Sequence, residues 1–255
     1  MNPDDTPAMK KKRPASGPPV PRHGVARVIS KLGIGSRAQA AQWVREGRVR
    51  VNGNVVRDPE CPVIQGWDRV AVDGQEATPS RIVIMLNKPR GLVTTTRDER
   101  GRDTVYKCLE GAALPWLAPV GRLDKASEGL LLFSNDPAWA ARITDPATGP
   151  DKTYHVQLNR LHDATLLANL ARGALVDGER LTVKAVRCLR TGERHAWLEI
   201  VLDEGRNRQI RRLLQAFDVS VLRLIRVAMG SLSLGGLPKG GWRELSPAEM
   251  ESLGG

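Results

Sequence analysis

Gly121-Arg122-Leu123-Asp124-Lys125-Ala126-Ser127-Glu128-Gly129-Leu130-Leu131-Leu132-Phe133 sets one carboxylate, Asp124, in a loop that runs into a wholly apolar strand. A carboxylate placed there is partly desolvated by the strand that folds beside it. The same spacing also suits an aspartate that caps a turn, so the loop alone leaves both readings open. Further strand-like runs follow at Ile82 to Leu86, Tyr154 to Leu158, Leu181 to Val186, Ala196 to Leu202 and Val219 to Val227. Helices fall between some of them. Asp136 stands as an N-cap with Pro137 at the first helical position, and Asp163 precedes Leu166, Leu167 and Leu170 in a helix that Gly173 ends. This uneven alternation predicts an α+β domain over residues 81–255 rather than a regular parallel α/β fold.

A smaller unit is expected at residues 23–76. Val25, Val28, Ile29 and Leu32 recur at helical spacing up to Gly33, and Ser36 with Gln39 forms a capping-box pair ahead of Ala40, Trp43 and Val44. Arg48-Val49-Arg50-Val51, the turn pair Asn52-Gly53 and Val55-Val56 then read as a β-hairpin. Between positions 27 and 50, Arg27, Lys31, Arg37, Arg45, Arg48 and Arg50 face only Glu46. Such a run is either a solvated face or a phosphate-binding surface. Residues 77–80 make a linker, and residues 1–22, basic, proline-rich and nearly devoid of apolar side chains, read as a disordered tail.

The whole chain has 255 residues with 39 Lys and Arg against 28 Asp and Glu, a net charge of +11 that favours polyanionic partners. No apolar run approaches the ~18 residues of a membrane span, and the first residues lack the apolar core of a secretory leader. Cys61, Cys108 and Cys188 lie too far apart for a local metal knuckle. A cytoplasmic monomer is the expectation.

Beyond Asp124, the residues able to do chemistry are the basic loop Lys88-Pro-Arg-Gly91, the strand entry Lys152-Thr-Tyr154, and Glu204-Gly-Arg-Asn-Arg-Gln-Ile-Arg-Arg212, read as opening a cationic helix. Ile210, Leu213, Leu214 and Phe217 mark the buried stripe of that helix. On a helical projection Arg211 lies about 110° from the stripe centre, against about 150° for Arg212 and 170° for Arg208. Arg211 alone therefore borders the buried side, within reach of Asp124. Tyr154 either faces the core with Val156 and Leu158 or stacks on an unstacked base. Lys88 is either a solvated loop residue or a phosphate contact, and is taken as the latter rather than as catalytic. His155 and His195 have no partners at ligand spacing and read as structural.

Residues Arg27 to Arg37 with Gly47 to Gly53 resemble the ribosomal-protein-S4-type RNA-binding domain. The Gly-Arg-Leu-Asp motif with Ser127 and Gly129, together with Leu224 to Gly230 and Leu237 to Leu245, resembles the bacterial ribosomal-RNA pseudouridine synthases that carry such a domain. The likeness spans nearly everything from Arg27 to Leu245. Two departures are mild: Ser127 stands where Thr is commoner, and Pro137 follows Asn-Asp where Gly is commoner. The resemblance implies a small helix-helix-hairpin domain followed by a larger mixed-sheet catalytic domain. It implies that Asp124 is the catalytic aspartate, Tyr154 the active-site tyrosine and Arg211 the basic partner of Asp124. Arg122 would contact RNA near the displaced uridine, and Arg27, Lys31, Arg37 and Arg48 would contact RNA from the smaller domain. The isomerisation transfers no external group and changes no redox state, so neither cofactor nor metal is expected. The partner implied is ribosomal RNA or a pre-ribosomal particle, with the last 30 residues resembling the large-subunit members. Two other readings compete: a non-catalytic RNA-binding factor in ribosome assembly, and a metal-dependent nuclease with Asp124 as one ligand.

Overall fold

The structure is a computed structural model that describes residues 22–64, 68–76, 81–96 and 98–254. The expected tail, Arg22 apart, and the expected linker lie outside the described residues. Contacts divide the chain into two compact units, with the change at Ser80 and Arg81.

In the first unit, α1 (Val25–Lys31) ends before Gly33, whose φ of 71° is the left-handed conformation expected of a helix-terminating glycine. The second helix, α2 (Arg37–Arg45), starts with a complete capping box: Ser36 Oγ accepts from the Gln39 amide and the Gln39 side chain accepts from the Ser36 amide. Strands β1 (Val49–Val51) and β2 (Asn54–Val56) form the expected hairpin. Asn52 and Gly53 both have positive φ, as a tight two-residue turn requires. With β3 (Val70–Val72) and β4 (Gln75–Glu76) they make a sheet ordered β2-β1-β3-β4. Val25, Val28, Ile29, Ala40, Val44, Val49 and Val70 are the buried core of this unit.

The second unit is built on a nine-stranded sheet. Its strands are β5 (Val83–Lys88), β6 (Ala118–Val120), β7 (Glu128–Ser134), β8 (Lys152–Leu158), β9 (Ala185–Thr191), β10 (Ala196–Leu202), β11 (Val221–Met229) and β12 (Trp242–Glu244), with Leu232–Ser233 added beside β11. The main path runs β9-β10-β8-β11-β7-β5-β12 and is antiparallel except between β11 and β7. Every residue of β7 is buried, because its two faces are both covered. Leu131 and Phe133 join one core with Tyr154, Val156, Leu198 and Leu214. Leu130 and Leu132 join another with Trp139, Ile143, Met229 and Leu253. Truncating one of these leucines to alanine costs about 2–5 kcal/mol.

Helix α3 (Pro137–Thr144) is capped by Asp136 and α4 (Ala164–Arg172) by Asp163, as their sequences predict. The expected single strand from Leu181 to Val186 is instead two elements. Leu181 ends a hairpin of Ala174–Val176 with Glu179–Leu181, and β9 starts only at Ala185. The Asp177-Gly178 turn, both residues at positive φ, redirects the chain there. The expected cationic helix is also shorter: α5 is Gln209–Gln215, and residues 204–207 are loop. A last helix, α6 (Pro247–Ser252), carries its own capping box from Ser246 and Glu249.

Candidate active site

The Asp124 loop is held by its main chain. From Leu123 to Ser127, all five successive carbonyls accept a hydrogen bond, from Thr94 Oγ1 (2.7 Å), Lys88 Nζ with the Ser127 amide (3.2 and 2.9 Å), the Gly91 amide (2.8 Å), Arg211 (3.2 Å) and again Lys88 (2.8 Å). Bonds from charged donors exceed neutral ones in strength, so Lys88 and Arg211 are the firmest points of this grip. The loop is thus rigid while the Asp124 carboxylate, 31 % exposed, stays open to one side.

Lys88 is therefore not a solvated phosphate contact. It ends a strand of six buried residues, has no exposed surface, and spends all three donors on Pro89, Asp124 and Ser127 carbonyls. Burial pulls its pKa down to about 8, and the nearby Asp124 charge opposes that shift.

The ion pair to Asp124 falls to Arg208, not Arg211. Arg208 Nη1 lies 3.6 Å from Asp124 Oδ2, while Arg211 has no carboxylate within ion-pair distance among the described residues. Arg211 is half-buried and donates to the Val221 and Ala126 carbonyls. Burial and then the neighbouring Arg208 pull its guanidinium below its ordinary pKa, with Asp124 acting the other way. The helical projection failed because Arg208 is not helical. It is the residue before the first turn, at φ 50° and ψ 30°, so 100° per residue does not describe where its side chain leaves. Among the described residues it is also the one positive-φ position occupied by neither Gly, Asn nor Asp. Such a conformation costs on the order of 1 kcal/mol and is held there by its surroundings.

Asp124 and Arg208 line a cleft of about 680 Å³, while Lys88 and Arg211 stand behind its wall. Arg122, Leu123 and Asp124 come from the loop, Tyr154 from β8, Arg208 from the approach to α5, and Leu224 from β11. Tyr154 is buried, as strand alternation predicts, and also borders the cleft. Its hydroxyl has no hydrogen-bond partner among the described residues, which leaves it for a bound molecule. Arg122 is exposed at the rim. Gly129 lets the two halves meet. It has φ +101°, and a Cβ there would stand 2.2 Å from the Arg226 carbonyl oxygen. Only glycine permits β7 and β11 to approach this closely.

The expected RNA contacts of the first unit differ among themselves. Arg27 is exposed, with no carboxylate at ion-pair distance among the described residues. Lys31 lies 3.4 Å from His23 Nε2, and Arg37 pairs loosely with Glu60 at 3.4 Å. Arg48 is bound at both ends of its fork by Asp73 (2.9 and 2.6 Å), touches Glu46, and covers the Trp43 ring. Arg45 and Arg50, also exposed, have no ion-pair partner among the described residues.

A mixed sheet that sets the Asp124 carboxylate beside Arg208 and Arg122, with the Tyr154 hydroxyl unbonded in the same cleft, is suited to chemistry on a polyanion. Residues 82–216 match the family described as RNA pseudouridylate synthase, and residues 25–63 match the S4 domain. The chain is 34 % identical over 230 residues to ribosomal large subunit pseudouridine synthase B of Bacillus subtilis, covering 89 % of this chain and 93 % of that relative. Identity to the protein of the same name from Haemophilus influenzae is 32 % over 249 residues, 94 % of this chain and 70 % of the relative. A crystal structure of a pseudouridylate synthase superposes with a TM-score of 0.63 at 28 % identity, covering 91 % of this chain and 99 % of that one. This chain belongs to the RNA pseudouridylate synthase family, isomerases that convert uridine to pseudouridine in RNA.

Proposed function

We propose that the chain isomerises one uridine of large-subunit ribosomal RNA, with Asp124 as the catalytic carboxylate. The observation that carries this reading is the rigidly held loop that presents Asp124 to a cleft shared with Arg208 and Tyr154. The Bacillus and Haemophilus relatives are named for the large ribosomal subunit, which supports it as the source of the substrate.

In the reaction the C1′–N1 bond of uridine breaks, the detached uracil turns, and C1′ bonds to C5. The C5 proton then leaves and N1 takes one up, so substrate and product have the same atoms. An ionised carboxylate drives this either by covalent attack or by taking the C2′ proton. Arg208 pairs with the Asp124 carboxylate at 3.6 Å, and the Tyr154 hydroxyl helps to remove the C5 proton directly or through water. A stacked uridine must first leave its stack, at a cost of a few kcal/mol. Phosphate contacts from Arg122 and from Arg27 and Arg37 of the S4 unit offset that cost. The protein works as a monomer in the cytoplasm. No helix among the described residues is long and apolar enough to cross a membrane.

The test is tritium release from ribosomal RNA labelled at uridine C5. Release with the wild type and none with Asp124→Asn is the expected result. Strand cleavage would make the protein a nuclease, and binding alone would make it an assembly factor. Mapping pseudouridine in cells with and without the protein assigns the subunit and the position.

A further inference from the structure

Two cations are buried in the strand floor of the cleft, away from every contact just assigned. Lys152 and Tyr154 point to one face of β8, and Arg226 stands directly opposite Tyr154 on β11. Lys152 is 7 % exposed and Arg226 5 %, and both line the cleft. Arg226 Nε donates to the Leu130 carbonyl at 2.7 Å, whereas its Nη2 is buried with no partner among the described residues. Lys152 Nζ donates to the Asp203 carbonyl at 3.2 Å. Neither side chain has a carboxylate within ion-pair distance among the described residues.

Placing two unneutralised cations together in a buried wall is unfavourable before compensation. Main-chain carbonyls repay part of that, and neither carries a full negative charge. Burial first, and then repulsion from Arg226, depress the pKa of Lys152, against weaker pulls from Asp151 and Asp203. A ligand carbonyl, such as those of uracil, would satisfy the spare donor but not the two charges. An anionic oxygen satisfies both. Each nucleotide of an RNA brings one such group, separated from its base by the ribose.

We propose that Lys152 and Arg226 form a phosphate seat, which takes a phosphodiester flanking the uridine held at Asp124. The proposal rests on the reading of the cleft as a uridine site. The seat fixes the ribose between two points, the phosphate on the strand floor and C1′ beside the carboxylate, and so sets which sugar face Asp124 meets. In this role Lys152 and Arg226 are positioning residues.

The test needs no turnover. Uridine 3′,5′-bisphosphate, uridine and inorganic phosphate are titrated separately into the full chain at low ionic strength, with binding followed by calorimetry. The bisphosphate is expected to bind the wild type about tenfold or more tighter than uridine, the size of a charge-assisted hydrogen bond. That preference disappears in Arg226→Gln and in Lys152→Gln, and Arg226→Lys restores part of it. Lys152→Gln retains a donor for the Asp203 carbonyl, so it decides the matter if circular dichroism shows Arg226→Gln to be unfolded. Equal binding of bisphosphate and uridine to the wild type overturns the seat, as does a preference that survives in the folded variants. Inorganic phosphate that binds as tightly as the bisphosphate without competing with uridine also overturns it, by making the site one for free anions. Tritium release that persists in Asp124→Asn while the binding preference is lost in Arg226→Gln refutes the catalytic assignment of Asp124 and leaves the seat standing.

Discussion

Arg48 in the S4 unit and Lys88 in the catalytic unit are both basic residues that a sequence reading gives to RNA, and the structure uses them in different ways. Arg48 is exposed and tied to carboxylates of its own unit. Lys88 is buried and tied to main-chain oxygens beneath Asp124. Around the S4 unit, cations lie on the surface, and what separates them is whether a neighbouring acid has already claimed them. Around Asp124, cations range from buried Lys88 through half-buried Arg211 to exposed Arg208, and what separates them is whether they hold the backbone, the carboxylate or, as proposed for Lys152 and Arg226, the substrate. Net charge therefore says that the chain meets a polyanion without saying which of its charges do so.

The sharpest way to break the comparison is Asp124→Asn. Single-turnover pseudouridine formation at saturating RNA is expected to fall about 10³-fold or more, with RNA affinity within a few-fold of wild type by filter binding. Appreciable turnover in a preparation free of wild type would remove Asp124 from the centre of that arrangement.

Next in size is the contrast between Arg208→Ala and Arg211→Ala. Removing Arg211 leaves the Ala126 and Val221 carbonyls without that donor, so urea denaturation should show a loss of about 1–3 kcal/mol together with a slower chemical step. Removing Arg208 should slow the chemical step with stability changed by no more than about 0.5 kcal/mol, because that pair is half-exposed. Equal stability of the two variants would mean that Arg211 does not hold the loop.

Lys88→Met sharpens the picture through pH. The folded-state pKa of Lys88, about 8, lies below its ordinary 10.5, so between those values the unfolded chain binds more protons. Wild-type stability measured against Lys88→Met should therefore rise as pH goes from 8 towards 10.5. A lysine held by an ion pair would have a raised pKa and would lose stability on the alkaline side instead. A falling difference between pH 8 and 10 would contradict burial as the dominant influence on Lys88.

The smallest expected effect is on the S4 unit. Arg27→Ala should lower the slope of log affinity against log salt by about 0.7 to 0.9, one phosphate contact's worth. Arg48→Ala should change that slope by much less, its charge being already balanced by Asp73 and Glu46. Equal slopes for the two variants would show that RNA displaces those acids.

Elements whose signals are local were legible in the sequence. The Ser36–Gln39 capping box, the Asn52-Gly53 turn and the Asp136 and Asp163 caps each depend on a few adjacent residues, and each stands where expected. Asp124 and Tyr154 were legible through the family motif, and the structure brings both to one cleft. The misread residues depend on distant neighbours. Lys88 is buried because β5 lies inside a sheet closed by β7 and β12, which a solvated-loop reading of Lys-Pro-Arg-Gly cannot contain. Arg208 was lost through one dihedral, since extending the helix back by one residue rotates its side chain to the wrong side. Lys152 and Arg226 fall within stretches the sequence singles out, but neither has an assigned role until β8 and β11 are placed side by side.

Gly129 carries a consequence for how the protein is made. The contact it permits joins β7 to β11, and the bond from Arg226 to Leu130 spans 96 residues of chain. Contacts so remote in sequence form late in folding, because the intervening loop must close before they bring any reward. During synthesis, the ribosome has therefore released the Gly-Arg-Leu-Asp loop long before the strand that completes its cleft. A nascent chain that stops short of β11 holds Asp124 without Leu224 or Arg226 beside it, so catalytic competence comes only with the last quarter of the chain.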